Sequence, residues 1–592
     1  MPLTLPQLNL ACEPDVLAPL GDLYPHSPWV VQRALTQRPF RSLAEFKYAM
    51  AGVVAQAGHA AQVALVRAQP EVTDLVAPAR TAPRAVTTGP KHFDVDDLTK
   101  LKRLAADYRD KFGFPFILSL LGPRGTGLSP AQIIATLERR LQGHNTDELP
   151  ECLRNLHRMA ELKLNEAFAT KPELGNRVWD WCEELARLSE PEAAAKGQLT
   201  VTYLTAAHRA CAQSLSLSFR NCGFDEVHID AVGNVVGRYR AQHADAPALL
   251  TGSHFDTVRN AGKYAGRLGI FVPAACVHEL ARQGRRLPFA IELVAFAERE
   301  GQRYQTNFLG SSALTGQFGY RWLAQRDADR ISMRDAMDHA GLAVDDIPTI
   351  TRNPKRYLGF VEVHVEQGPL LNRLNMPLGV VTAINGGVRH LGVIEGVACH
   401  ADTTPMALRR DAAAAAAELL LYVERRASET PHLMGSVRLL ALPGGSVNIV
   451  PTRCEFSLDL HAPTDGQRDA LAHDVLRELA AICERRGVRF SVEETSRVNA
   501  APSAPAWQRR WENAVTQQGA PVHHLTSGAG HDAMTLHSIL PQAMLFVRGQ
   551  NGGASHGPLE SVTSDDMQLA VQAFGSLLEQ LAHERGAQPE GL

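Results

Sequence analysis

Apolar positions near the start of the chain recur at intervals of three and four. Ile133, Ile134, Leu137 and Leu141 follow Ser129-Pro130, an N-cap with proline at the first helical position, and stop before Gly143; this predicts a helix over 130–141. Leu153, Leu156, Met159, Ala160 and Leu164 repeat the spacing, and no period-two pattern of comparable strength competes with it before residue 168. After about residue 172 short apolar runs (248–250, 291–296) alternate with helical segments such as 269–282, the pattern of an α/β domain. The stretch from 380 to 498 has runs of its own, strand-like at 378–381 and 454–460 and helical at 411–425 and 465–485, so a second lobe is expected as an insertion. There is no short internal repeat and no low-complexity tract.

A chain of 592 residues exceeds what one hydrophobic core holds together, so two or three domains are expected. With 45% hydrophobic residues, 21% charged residues and a net charge of -3, the composition is that of an ordinary globular protein. It carries no basic footprint for nucleic acid or an anionic membrane. The opening MPLTLPQLNLACEP lacks a positive segment followed by an apolar one, and no later stretch reaches about 18 uncharged apolar residues. The nine cysteines are scattered without a CxxC pair. They read as small buried hydrophobes of a reducing compartment, and a cytoplasmic location is expected.

Chemistry concentrates after the apolar runs. In TGSHFDTV, His254 closes a strand and Asp256 stands two residues on, where its carboxylate can accept the second N–H of a metal-bound imidazole. Taken alone, a His-x-Asp is more often structural. Glu298, Arg299 and Glu300 follow the run ELVAF, His364 lies in VHVEQG, and Ser555-His556-Gly557 stands near the end. Histidines and acids at the ends of several strands are where such folds place their sites. His531 in GAGHDA also reads as a buried histidine satisfied by Asp532, and His400 beside Asp402 as a helix-cap or loop pair.

The order HFDTV, KYxGRLG, AExEG, VHVEQG, HADTTPM, SVNIVP, GAGHDA and SHGPLE resembles the allantoate amidohydrolase and N-carbamoyl-amino-acid hydrolase branch of the zinc aminoacylase superfamily, over roughly residues 173–590. The resemblance implies a metal-dependent homodimer that hydrolyses ureido or amidino C–N bonds. It places His254 and His556 on one divalent ion (Zn or Mn), Glu300 and His364 on the other, and His400, Asn448 and His531 with the substrate. Two such ions sharing a carboxylate acidify a bound water, and a glutamate takes its proton.

Three positions depart from that pattern. The bridging Asp of Tyr-Asp-Gly is Ala265, the general-base Glu is Arg299, and the substrate Arg of the second lobe is His461. A guanidinium at roughly 5 Å repels a dication by several kcal/mol even at an effective dielectric near 20, and two protein ligands per ion fall short of the usual three. Sub-stoichiometric metal is therefore expected, with Glu298 the alternative base.

Residues 8–168 resemble the all-helical 2-oxo-4-hydroxy-4-carboxy-5-ureidoimidazoline (OHCU) decarboxylases through YPHSPW at 24–29, YRDKFGFPF at 108–116 and LRNLHRMAELKLNEAF at 153–168. That family works without a cofactor and protonates its carbanion from the histidine of a His-Pro pair. Here the pair is Gln69-Pro70, and an amide cannot exchange a proton as imidazole does. The family's Glu and Gln positions fall on Arg84 and Ala85, and its last-helix arginine on Lys163, which loses the planar fork. Phe112, Phe114, Phe116 and Trp29 are most simply packing residues. The expected organisation is a helical domain over 1–168, an α/β metallohydrolase domain over 173–378 and 499–590, and an α+β lid and dimerisation domain over 379–498. The partners expected are a small ureide and a second copy, with no nucleic acid and no membrane.

Overall fold

The computed structural model of the chain describes residues 2–76 and 93–586. Arg84 and Ala85 lie outside the described residues. The chain divides into two units, one built from 1–380, 509–523 and 544–592 and the other from 381–508 and 524–543.

The first unit begins with helices and continues as an α/β sheet. The helix Pro130–Leu141 starts where its sequence signals place it, with Ser129 and Gln132 forming a reciprocal capping box. The aromatic run of KFGFPF packs as one cluster: Tyr108, Phe112, Phe114 and Phe116 sit at centroid distances of 4.7–6.2 Å. Arg140 is buried beside them and is held by Glu148, by the Ile117 carbonyl at 2.6 Å and by Tyr108. A buried charge persists only when paired in this way.

The sheet runs in the order Glu226–Ile229, Val235–Tyr239, Ala290–Phe296, Ala248–His254, Tyr357–Val365, Gln542–Val547. Its first two pairings are antiparallel, and Ala248–His254 lies parallel to both neighbours, in register from Ala248 opposite Ala290 to His254 opposite Phe296. Both Ala248–His254 and Ala290–Phe296 are buried at all seven positions. That explains their continuous apolar runs. Because the three strands are parallel, their carboxyl ends open on one edge. The helices Glu173–Leu185 and Ser564–Gly586 pack closely at Gly175, where a Cβ would come within 1.9 Å of the Ser564 carbonyl oxygen.

Helical region and hydrolase region meet within this unit through charged side chains. Asp565 accepts from Arg158 at 2.5 Å, Lys47 at 3.1 Å and Asn165 at 2.7 Å. Arg154 pairs with Glu161 at 3.1 Å and donates to Asn375 at 2.9 Å, and Arg548 pairs with Asp566 at 2.7 Å.

In the second unit the antiparallel strands run Arg489–Val498, Gly386–Glu395, Arg453–Ala462, Met434–Ser436, with Leu440–Ala441 also on Arg453–Ala462. The helices Ala412–Ser428 and Asp465–Arg486 share a core with them, among it Leu419, Val423, Leu458, Leu471 and Leu479. Asp411 caps the first helix through the N–H groups of Ala413 and Ala414, and Thr464 caps the second. Seven of the nine cysteines are buried and all are free thiols. Among the described residues no single helix is long and apolar enough to cross a membrane.

Candidate metal centre

His254 ends the central strand of the first unit, and the loop after Ala290–Phe296 brings Glu298, Arg299 and Glu300 to the same edge. One carboxylate ties the two loops together. Asp256 Oδ1 faces His254 Nδ1 at 3.2 Å, and its Oδ2 accepts the N–H groups of Arg299 at 3.0 Å and Glu300 at 2.8 Å. Burial opposes a charge on His254, but the hydrogen bond and charge of Asp256 outweigh it and hold the imidazole above its ordinary value. His254 Nε2 is buried with no protein partner among the described residues, which suits a metal ligand.

The remaining donors are engaged elsewhere. His364 presents Nδ1 to the Val365 carbonyl at 2.8 Å, and its Nε2 accepts the N–H of Gly266 at 3.0 Å. With one nitrogen donating and the other accepting, an ion at Nε2 would have to displace the Gly266 N–H. Gly266 reaches this position at φ +72°, and a Cβ there would lie 2.3 Å from the His254 carbonyl oxygen, so only glycine fits. Glu300 is paired with Arg299, whose guanidinium is buried in the place sequence reasoning assigned to a base. Glu298 is fully buried. Burial, followed by the Asp256 and Glu300 charges, pushes its carboxyl well above the usual range.

Ala265 offers a methyl group where a bridging carboxylate is required. It lines one cavity with His254, Asp256, Glu300, His556 and Glu560, and that cavity is about 10 Å3, room for one water at most. His556 is exposed, at φ +54°, with Nε2 3.4 Å from the Gln367 amide nitrogen. The orphaned His254 nitrogen fits a metal; the donor set as a whole does not fit a two-metal centre.

Sequence reasoning missed Glu560, although it closes the motif SHGPLE. Its Oε1 accepts the N–H groups of Tyr264 at 2.8 Å and Ala265 at 2.9 Å, fixing the segment that carries the lost bridge. Glu183 does similar work on the flank, accepting from Tyr264 Oη and Lys263 Nζ, each at 2.7 Å.

In the second unit the segments of His400 and Asn448 come together: the Ala401 N–H donates to the Asn448 carbonyl at 2.9 Å, and His400 bridges Ile449. His400 Nδ1 accepts the Asp402 N–H at 3.1 Å, the loop pair expected of it. His461 lies on the strand Arg453–Ala462, 4.0 Å from Asp459, and burial lowers its imidazole below the ordinary value. His531 Nε2 meets Ser527 Oγ at 2.9 Å.

In the helical region Gln69 is buried and donates to the Leu65 carbonyl at 3.2 Å. It lines a cavity of about 210 Å3 with Pro70, Phe116, Leu156, Met159 and Lys163, most of whose wall is apolar. Lys163 is tied to Asp22 at 3.1 Å.

Comparison with known proteins accounts for both regions. Residues 9–165 match the OHCU decarboxylase family and residues 250–580 match peptidase family M20/M25/M40. An N-carbamoyl-L-amino acid amidohydrolase of Geobacillus stearothermophilus is 35% identical, the alignment covering 69% of this chain and 98% of that protein. An allantoate deiminase of Arabidopsis thaliana is 34% identical over 59% of this chain and 73% of its own length. The crystal structure of a hydantoinase/carbamoylase family amidase from Burkholderia multivorans superposes with a TM-score of 0.64 at 26% identity, covering 69% of this chain and 98% of that one.

Proposed function

We propose that this chain, which belongs to peptidase family M20/M25/M40, is a ureide-binding relative of the amidohydrolases in which metal loading and C–N hydrolysis are strongly curtailed. The single observation that carries this reading is the pair of contacts that occupies two of the four expected ligands: Gly266 N–H on His364 Nε2 and Arg299 on Glu300. When bound, divalent ions would supply an acidified water to this fold. The chain's own groups oppose that chemistry, because burial and the neighbouring Asp256 and Glu300 charges disfavour an ionised Glu298, Ala265 cannot bridge and Arg299 adds positive charge. Substrate holding is a separate function, and His400, Asn448, His461 and His531 are the residues we assign to it. Curated relatives named for allantoate and for N-carbamoyl-L-amino acids share a ureido group next to a carboxylate, and that is the ligand class proposed.

The OHCU-type region is proposed to retain its fold without decarboxylation, since Gln69 cannot protonate a carbanion and Lys163 is held by Asp22. For the whole chain we propose a cytoplasmic homodimer. The unpaired cysteines suit a reducing compartment. The second unit exposes Met406 by 76% and Val447 by 95%, apolar surface of the kind that a second copy covers; a monomer in light scattering would overturn the dimer.

The test of the central reading is turnover of allantoate and of N-carbamoyl-L-amino acids with added Zn2+ or Mn2+. Unaltered protein is expected to fall about two to four orders of magnitude below the triple variant Ala265→Asp, Arg299→Glu, His461→Arg. The single variants should do little, because the parts of a bridged site act as a unit. Rapid turnover by the unaltered chain would refute the proposal.

A further inference from the structure

Ten of the twelve side chains that line the cavity of about 210 Å3 in the helical region are apolar. Leu23, Val72, Phe116, Ile117 and Leu156 form its buried wall, each at most 3% exposed. That wall is braced from behind. The Phe116 ring has the Arg140 guanidinium 4.6 Å from its centroid and the Tyr108 ring at 5.2 Å, and Arg140 is itself fixed by Glu148 and the Ile117 carbonyl. An apolar cavity of about 150 Å3 stays dry and takes up a benzene-sized ring, so this one has room for a bicyclic ring.

The two polar side chains of the wall select the ligand's charge. Among the described residues Lys163 is the one charged group that lines the cavity, and its ammonium donates to the Asp22 carbonyl at 2.7 Å and to the Asp22 carboxylate at 3.1 Å. No free cation is left to offset an anionic ligand, whose desolvation an apolar wall does not repay. Gln69 is 7% exposed and donates its Nε2 to the Leu65 carbonyl at 3.2 Å, and its Oε1 has no protein partner among the described residues. An amide acceptor set alone in an apolar wall is complementary to a neutral ligand that supplies one N–H.

We propose that this cavity binds a neutral bicyclic aromatic molecule of the indole class, its ring among Leu23, Phe116, Leu156 and Met159 and its N–H on Gln69 Oε1. The aromatic ring of Phe116 and the polarizable thioether of Met159 suit a π-system. The inference rests on the reading that this region no longer decarboxylates, and the two can fail separately. Turnover of OHCU reports on that reading; titration with an unreactive ring reports on binding alone.

The test is calorimetric titration of the full-length protein with indole at several temperatures, beside benzofuran, which has the same shape without the N–H, and indole-3-carboxylate, which adds a charge. Indole is expected to bind saturably with a negative heat-capacity change, the mark of buried apolar surface. Benzofuran should bind about three- to ten-fold more weakly, the worth of one hydrogen bond, and Gln69→Leu should bring indole down to the level of benzofuran while leaving benzofuran unchanged or tighter. Met159→Trp, which fills the space from its partly buried edge, should abolish binding of both rings, and Gln69→Leu keeps the test open if that variant unfolds. No saturable binding of indole, or undiminished binding in a folded Met159→Trp, would overturn the site. Equal affinity for indole and benzofuran, or no effect of Gln69→Leu on indole, would overturn the contact with Gln69, and displacement of indole by an equal or lower concentration of indole-3-carboxylate would overturn the assignment to a neutral ligand.

Discussion

Replacing Asp565 with Asn would remove one negative charge from the joint between the helical and hydrolase regions while keeping the side chain's shape. Asp565 is 12% exposed and is bonded by Arg158, Lys47 and Asn165, with Arg158 itself only 4% exposed. Burial opposes its charge, yet Arg158 and Lys47 hold the carboxyl far below the usual range. The amide would leave Arg158 buried beside Arg154 and Arg548, with Glu161 and Asp566 the remaining anions. Breaking a buried pair from one side costs about 3–5 kcal/mol, a fall of about 6–20 °C for a cooperative unit of about 150–250 residues. Asp22→Asn is the control. Its pair with Lys163 is 43% and 83% exposed and is worth about 1 kcal/mol at most. Scanning calorimetry with limited proteolysis should show the helical region unfolding early, as its own transition, in the first variant alone. A single unchanged transition in Asp565→Asn would refute the idea that this charge cluster joins the two regions.

Two further outcomes follow from buried groups of the helical region. Burial, and then the nearby Arg154, lowers His157 to about 3, with Tyr24 Oη 2.7 Å from its Nδ1. As pH falls from about 6.5 towards 3 the unfolded chain takes up a proton that the folded chain refuses. Stability should then drop by up to about 1.4 kcal/mol per pH unit, and His157→Gln should flatten that slope in chemical denaturation; an equal slope in both proteins would refute it. His208, lowered to about 4 by burial, adds a loss of the same sign in either protein. The full-length chain should not accelerate OHCU decarboxylation, measured by loss of the substrate's ultraviolet absorbance, and activity in the unaltered chain that Gln69→His leaves flat would show that the acid role is filled elsewhere.

Much of the architecture was legible because local signals agreed with tertiary demands. Ser129-Pro130 sets a helix start and Gln132 completes its cap; the apolar runs at 248–250 and 291–296 are apolar because both faces of their strands are covered. The residues gathered at the strand ends were legible as motifs, and so were the substitutions at 265 and 299. What the sequence concealed is contact over long separation. Arg154, Arg158 and Glu161 have the spacing of a solvated helix face, yet Arg158 meets Asp565 some 407 positions later. Gly266 reads as a turn glycine, and only the fold shows its N–H on His364. Glu560 was quoted within a motif without a task, because its task is to hold the backbone of Tyr264 and Ala265.

The most direct test of the central claim is the metal content of purified protein after equilibration with Zn2+ or Mn2+ and removal of free ion, measured by inductively coupled plasma mass spectrometry. With His364 capped by Gly266, Glu300 paired with Arg299 and no carboxylate at Ala265, occupancy should lie well below two ions per chain. It should rise towards two in Ala265→Asp, Arg299→Glu, since a catalytic ion normally needs about three protein ligands. Two ions held tightly by the unaltered chain would contradict the account.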